Sequence, residues 1–154
     1  MSPIFGWQEL KIIEGMRGTR SATVKVAAYN ASDRTKAQAD ATCPGVGLSR
    51  DDITINALIA TGYSIELSEG DFYGLRVRIA DKSHITIKGQ GAATRYHMAI
   101  CTQVQADAGQ NTCFSFENAG YCTIRDIYVD GQGPSQTATA APGISWYIGV
   151  SEDD

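Results

Sequence analysis

Acid–base cleavage of a glycosidic bond needs two carboxylates within reach of one substrate. Asp126 and Asp130 are the best such pair in one segment of this chain. A glycosidase holds its pair about 5–9.5 Å apart, whereas a straight strand at about 3.3 Å per residue would hold these two about 13 Å apart. Only a bend between them would close that distance, and Asp130-Gly131 is also a turn dipeptide. Asp126 and Asp130 are therefore weak catalytic candidates, and no firm catalytic residue is assigned. Asp51-Asp52 opens a helical segment, where carboxylates serve as caps. His84 starts a strand and His97 adjoins Tyr96, so each reads as a surface or edge residue rather than a base.

Other chemistries find less support. Cys43, Cys101, Cys113 and Cys122 form no C-x-x-C pair, and neither histidine is spaced from them as a zinc site requires. They read as small buried apolar residues, with no metal and no cofactor expected. The nucleophile phrase G-x-S-x-G does not occur. Gly89-Gln-Gly91 runs into Ala92-Ala-Thr94 without the third glycine of a dinucleotide loop, and reads as a turn. The aromatic residues of the acidic C-terminal part carry more: Tyr121, Tyr128, Trp146 and Tyr147. Aromatic faces stack on sugar rings while nearby acids and amides supply hydrogen bonds, so these four are carbohydrate-binding candidates. The competing reading puts some of them inside the fold and others at a subunit interface.

The elements that must position these groups follow from composition. Fifteen Ile, seven Val, thirteen Thr and sixteen Gly against five Leu favour strands and tight turns over helices. With 43% hydrophobic and 19% charged residues the chain is not disordered, and 154 residues suit one domain with or without a short appendage. No apolar run approaches the roughly 18 residues of a membrane span, and the opening residues lack the basic-then-apolar pattern of a signal peptide. No membrane partner is expected. The net charge of −4 is a gradient: +3 over residues 1–50, −1 over 51–100 and −6 over 101–154. A C-terminal part this acidic disfavours nucleic acid as a partner.

Residues 1–21 form an apolar, basic lead-in, in which Ile4, Phe5, Trp7, Leu10 and Ile13 are candidates for docking or oligomerisation. We divide the chain into a docking segment, 1–30, and a β domain, 31–154. A strand is expected over Thr23–Ala27 and a short helix over Asp33–Ala41, capped by Ser32. A second helix is expected near 51–60, with Ile55, Leu58 and Ile59 on one face and Gly62 ending it. Short strands then follow over Tyr63–Leu67, Leu75–Ile79, His84–Ile87, Met98–Val104, Cys122–Val129 and Ile144–Val150. Ile65, Ile85, Ile124 and Ile144 are spaced by 20, 39 and 20 residues, which reads as a repeat of about 20 with one marker missing. Apolar parity switches between Ile124 and Ile127, so the strand must turn a corner at Arg125-Asp126 to keep both inside.

Four phrases carry a family resemblance: Ala31–Asp40, Asp51-Asp-Ile-Thr-Ile-Asn-Ala-Leu-Ile59, Tyr63-Ser-Ile-Glu-Leu-Ser-Glu-Gly-Asp-Phe-Tyr73 and Ser83-His-Ile-Thr-Ile-Lys-Gly-Gln-Gly-Ala-Ala-Thr94. In order and spacing, over roughly residues 30–133, they resemble the opening of pectate-lyase-like right-handed parallel β-helix proteins. The resemblance implies an all-β fold: a short right-handed parallel β-helix, a single-stranded solenoid with an N-terminal capping helix. Its core would hold Ile55, Ile65, Ile85, Ile87, Ile124, Ile127 and Val129. The family includes polysaccharide lyases, hydrolases and bacteriophage tailspikes. The R-x-P-x-x-R signature of the lyases does not occur, and N-x-D, D-D and G-H-G are absent as a set. The expected function is a non-enzymatic structural or adhesive protein of a virus particle, a bacteriophage tail-fibre, tailspike-like or head-decoration component that also contacts surface glycans. The alternative is a truncated polysaccharide lyase or glycoside hydrolase. Expected partners are further copies of the chain in a homotrimer, other virion proteins and polysaccharide, in a virion or extracellular setting.

Overall fold

Local signals place both helices. The computed structural model describes residues 22–45, 50–99, 112–131 and 147–148. Helix α1, Asp33–Gln38, starts where the Ser32 hydroxyl accepts the Thr35 N–H at 3.2 Å, an N-cap bond. Helix α2, Asp51–Ala60, buries Asp51, Asp52, Ile55 and Ile59, and its C-cap is Thr61, just before Gly62 at φ +96°. Among the described residues nine strands accompany the helices: β1 Thr23–Ala27, β2 Ala41–Thr42, β3 Ser64–Leu67, β4 Gly70–Gly74, β5 Val77–Ala80, β6 Thr86–Met98, β7 Phe114–Glu117, β8 Thr123–Asp130 and β9 Tyr147–Ile148. β2, β1, β3, β6 and β4 lie in that order in one sheet, with β8 also on β6, and β5, β7 and β9 form a second. Strand pairing is parallel throughout.

Among the described residues this is a mixed α/β arrangement of parallel strands with two helices, and it corrects the all-β solenoid with a capping helix that the sequence led us to expect. The physical reason lies in register. Ile65 stands opposite Ile87, not Ile85, and Ile87 opposite Ile124. The steps are thus 22 and 37 residues, and a uniform coil of about 20 does not describe them. Ile85 is buried just ahead of β6, and Ile144 lies outside the described residues.

Val24, Ile65, Ile87 and Ile124 make one aliphatic ladder across β1, β3, β6 and β8, and Phe72, Tyr96 and Val129 make a second, mainly aromatic one across β4, β6 and β8. Ile55, Ile65, Ile85 and Ile87 are buried as expected, while Ile124, Ile127 and Val129 are half-buried against the core. Their strand, β8, pairs only with β6 among the described residues, so its inner face has fewer neighbours. Between the two ladders β6 and β8 bend. The pairing register shifts on both sides of Gly91, which has φ +68°, and Asp126 has φ +58°. The corner expected at Arg125-Asp126 is present, and it lets one strand contribute to both ladders.

Helix α2 covers backbone that would otherwise be left unpaired. Asp51 accepts the Tyr73 N–H at 2.9 Å and the Gly45 N–H at 2.7 Å. Asp52 accepts the Leu75 N–H at 3.0 Å. Asn56 donates to the Arg76 carbonyl at 2.9 Å and accepts the Arg78 N–H at 2.8 Å. Four backbone groups of the β4–β5 segment, on Tyr73, Leu75, Arg76 and Arg78, are thereby closed by helix side chains, one of the ways a protein covers a sheet edge.

Candidate functional site

β4, β6 and β8 lie side by side in register over Gly70–Gly74, Thr94–Met98 and Tyr128–Asp130. Period-2 alternation sends Phe72 and Tyr96 into the core and their neighbours outward. Two outward rows result, Asp71–Arg95–Tyr128 and Tyr73–His97–Asp130, with strands spaced about 4.8 Å apart.

Asp71 is the hub. Its carboxylate accepts from Arg95 at 2.8 and 3.0 Å, from Asn30 at 2.8 Å, and meets His97 Nε2 at 2.8 Å. Asn30 closes the loop by accepting the Asp71 N–H at 2.9 Å. Burial alone would raise the Asp71 carboxyl, but hydrogen bonds from His97, Asn30 and Arg95 outweigh it and hold the group below the ordinary aspartate range. The other ring nitrogen of His97, Nδ1, faces Asp130 Oδ2 at 3.3 Å. The imidazole stacks on Tyr73 with centroids 4.8 Å apart and planes inclined by 19°, and Tyr29 lies 6.3 Å beyond Tyr73. Burial, then the Asp71 charge, raises the Tyr73 phenol, which therefore stays protonated. Tyr128 completes the face with 55% of its surface exposed.

The sequence candidates are thus divided. Tyr128 and Asp130 join Asp71, Tyr73, Arg95 and His97 on one face. Asp126 does not: it sits at the bend, exposed, 3.6 Å from Arg125. Tyr121 precedes β8, is 86% exposed and stacks on His84 at 5.1 Å, both residues having left-handed backbone, φ +53° and +61°. Trp146 lies outside the described residues, as do Ile4, Phe5, Trp7, Leu10 and Ile13. The backbone of Tyr147 pairs with Ser115 in β9. His97 is not at an edge but between two strands. The signal that would have found it is shared alternation: Asp71-Phe-Tyr73, Arg95-Tyr-His97 and Tyr128-Val-Asp130 each place one apolar residue between two polar or aromatic ones.

Chemically, the face offers planes, donors and acceptors rather than a poised acid. A hydrolase needs one carboxyl kept protonated, whereas the partners of Asp71 favour its charge. The thiols are no better placed: burial pushes Cys113 up to about 12 and Cys43 higher still, so neither supplies a thiolate near neutrality. Among the described residues no group of three His, Cys, Asp or Glu could hold a metal, and no helix is long and apolar enough to cross a membrane. No family model, curated protein or solved structure was found to match the chain.

Proposed function

We propose that the chain is a non-enzymatic structural or adhesive protein of a virus particle, a tail-fibre, tailspike-like or head-decoration component of a bacteriophage, that touches glycans through the outward face of β4, β6 and β8. The observation that carries the glycan part is the convergence on that face of Tyr128, Tyr73 and His97 with Asp71, Arg95 and Asp130. Flat rings beside fixed hydrogen-bonding groups are what a sugar site requires. The virion setting rests on the sequence phrases over residues 30–133, and a homotrimer is the assembly proposed with it. Calorimetric titration with neutral and acidic oligosaccharides, followed by product analysis, tests the reading. Binding without cleavage, weakened at least tenfold by Tyr128→Ala, supports it. Reproducible cleavage that disappears in Asp130→Asn would replace it with a hydrolase or lyase. Light scattering at micromolar concentration tests the assembly, and a stable monomer would remove the trimer.

A further inference from the structure

Two phrases, 37 positions apart, repeat one order of side chains: His84-Ile-Thr-Ile-Lys88 and Tyr121-Cys-Thr-Ile-Arg125, each a ring, an apolar residue, a threonine, an isoleucine and a cation. The register of β6 and β8 sets them side by side, Thr86 opposite Thr123 and Lys88 opposite Arg125. The rings of His84 and Tyr121 stack with centroids 5.1 Å apart. Ile85 and Ile87 are buried in the core, so period-2 alternation sends ring, hydroxyl and cation outward as three rungs. All three lie before the bend at Gly91 and Asp126, on a different stretch of the strands from Arg95, His97, Tyr128 and Asp130. At about 3.3 Å per residue the rungs span about 13 Å, the reach of a short oligosaccharide rather than of a single sugar. Thr23, Ser64 and Glu66 continue the face onto β1 and β3 and line, with His84, Thr86 and Lys88, a groove of about 310 Å³.

Two features of the rungs cost stability. His84 and Tyr121 hold left-handed backbone, φ +61° and +53°, which is strained for bulky residues, and Tyr121 is 86% exposed. The left-handed Asp81 and Asn118 of the same two turns differ: they are short and polar, and bond to each other at 2.8 Å. Lys88 and Arg125 are like charges directly opposite, which repel. Their carboxylate neighbours are Glu66, opposite Lys88, and Asp126, 3.6 Å from Arg125. With Lys25 opposite Glu66, the row keeps one positive charge in excess. We propose that the three rungs form a second glycan-binding site, for acidic oligosaccharides whose charged groups are monoanions. A sugar ring lies on Tyr121, its hydroxyls meet Thr86 and Thr123, and a carboxylate or sulfate ester settles between Lys88 and Arg125. The ligand's charge offsets the repulsion within the cation rung, and a single excess positive charge suits a monoanion better than a phosphate dianion. A hydroxyl rung between ring and cation matches a polyol, whereas an acidic peptide brings few hydroxyls to it. The site is separate from the β4–β6–β8 face and does not depend on it.

The test is amide and guanidinium ¹⁵N spectroscopy of the labelled full chain at about 0.15 M salt. The probes are hyaluronan hexasaccharide for carboxylate, sulfated maltohexaose for sulfate ester, plain maltohexaose and hexaglutamate. The expected result is that the Thr86 and Thr123 amide signals and the Arg125 Nε signal shift with an acidic sugar and much less with plain maltohexaose. Lys88→Gln and Arg125→Gln should each weaken that binding about tenfold, the size of one hydrogen bond to a charged group. Tyr121→Gly should weaken it about fivefold while leaving Tm unchanged or higher, because glycine relieves the left-handed strain. No shift with either acidic sugar, equal affinity for plain maltohexaose, or tighter binding of hexaglutamate overturns the site. A Tyr121→Gly variant that loses stability but not affinity overturns it too. If these signals shift while Arg95 and His97 stay fixed with every sugar, this site stands and the β4–β6–β8 reading fails. Shifts confined to Arg95, His97 and Tyr128 give the reverse.

Discussion

Two pairs of aspartates shape this molecule, and their partners set them apart. Asp51 and Asp52 are buried at the start of α2, and their oxygens are taken by the backbone N–H groups of Gly45, Tyr73 and Leu75 and by the Arg50 guanidinium at 2.9–3.1 Å. Asp71 and Asp130 stand on an outward face and flank an imidazole. A carboxylate bound to backbone amides has partners that neither titrate nor leave, so it fixes geometry. A carboxylate held by side chains on an outward face has partners that can rearrange when a ligand arrives. The more deeply buried pair is thus architectural, and the wetter pair stands where a ligand can reach it.

The largest effect should come from Asp52→Ala. It removes the acceptor of the buried Leu75 N–H and one ion-pair partner of Arg50, a loss of about 3 kcal/mol. Chemical denaturation measures it, and a cost of less than about 1 kcal/mol would break the division between the two pairs. Asn56→Ala should follow at about 2 kcal/mol, because two backbone groups of the β5 segment lose their partners. Acid comes next. Asp71 is held below its unfolded value, so its contribution is complete above about pH 4 and is lost as the pH falls through the lower, folded value. Asp71→Asn should flatten the acid limb of the stability curve, and an unchanged limb would show that its partners do not favour the charge. Asp51 has the opposite sign: burial raises it, against the N–H groups of Tyr73 and Gly45, so its contribution declines as the pH rises from the ordinary aspartate value towards the folded one. Smallest of all, Tyr128→Ala should change stability by no more than about 0.5 kcal/mol while weakening glycan binding, which separates recognition from folding.

What could be read in advance had local causes. Ser32 capped its helix, β1 fell on Thr23–Ala27, and the parity switch around Arg125-Asp126 marked a real corner. β4 was missed because the expected strands passed from Tyr63–Leu67 straight to Leu75–Ile79, over the glycine-flanked segment Gly70–Gly74. β6 was cut short at Gly89-Gln-Gly91, yet the strand runs on through that corner, where Thr94 Oγ1 accepts the Gln90 N–H at 2.8 Å and donates to the Ser68 carbonyl at 2.8 Å. The Asp71–His97–Asp130 set was invisible for another reason. Its members are 26 and 33 residues apart, and only the strand register, a long-range property, brings them together. Asp126 and Asp130, which sequence proximity suggested as a pair, are sent by the same bend to different partners.

The parallel pairing has a kinetic consequence. Among the described residues no two neighbouring strands are joined by a hairpin, and β6 receives β3, β4 and β8. Each of these contacts closes a loop of 20 residues or more, and that entropy is lost before any contact repays it. Folding of the isolated chain therefore belongs in the millisecond-to-second range of topologies dominated by distant contacts. On the ribosome, β3 must wait for Lys88 to emerge, and β4 for Met98, before either can pair fully with β6.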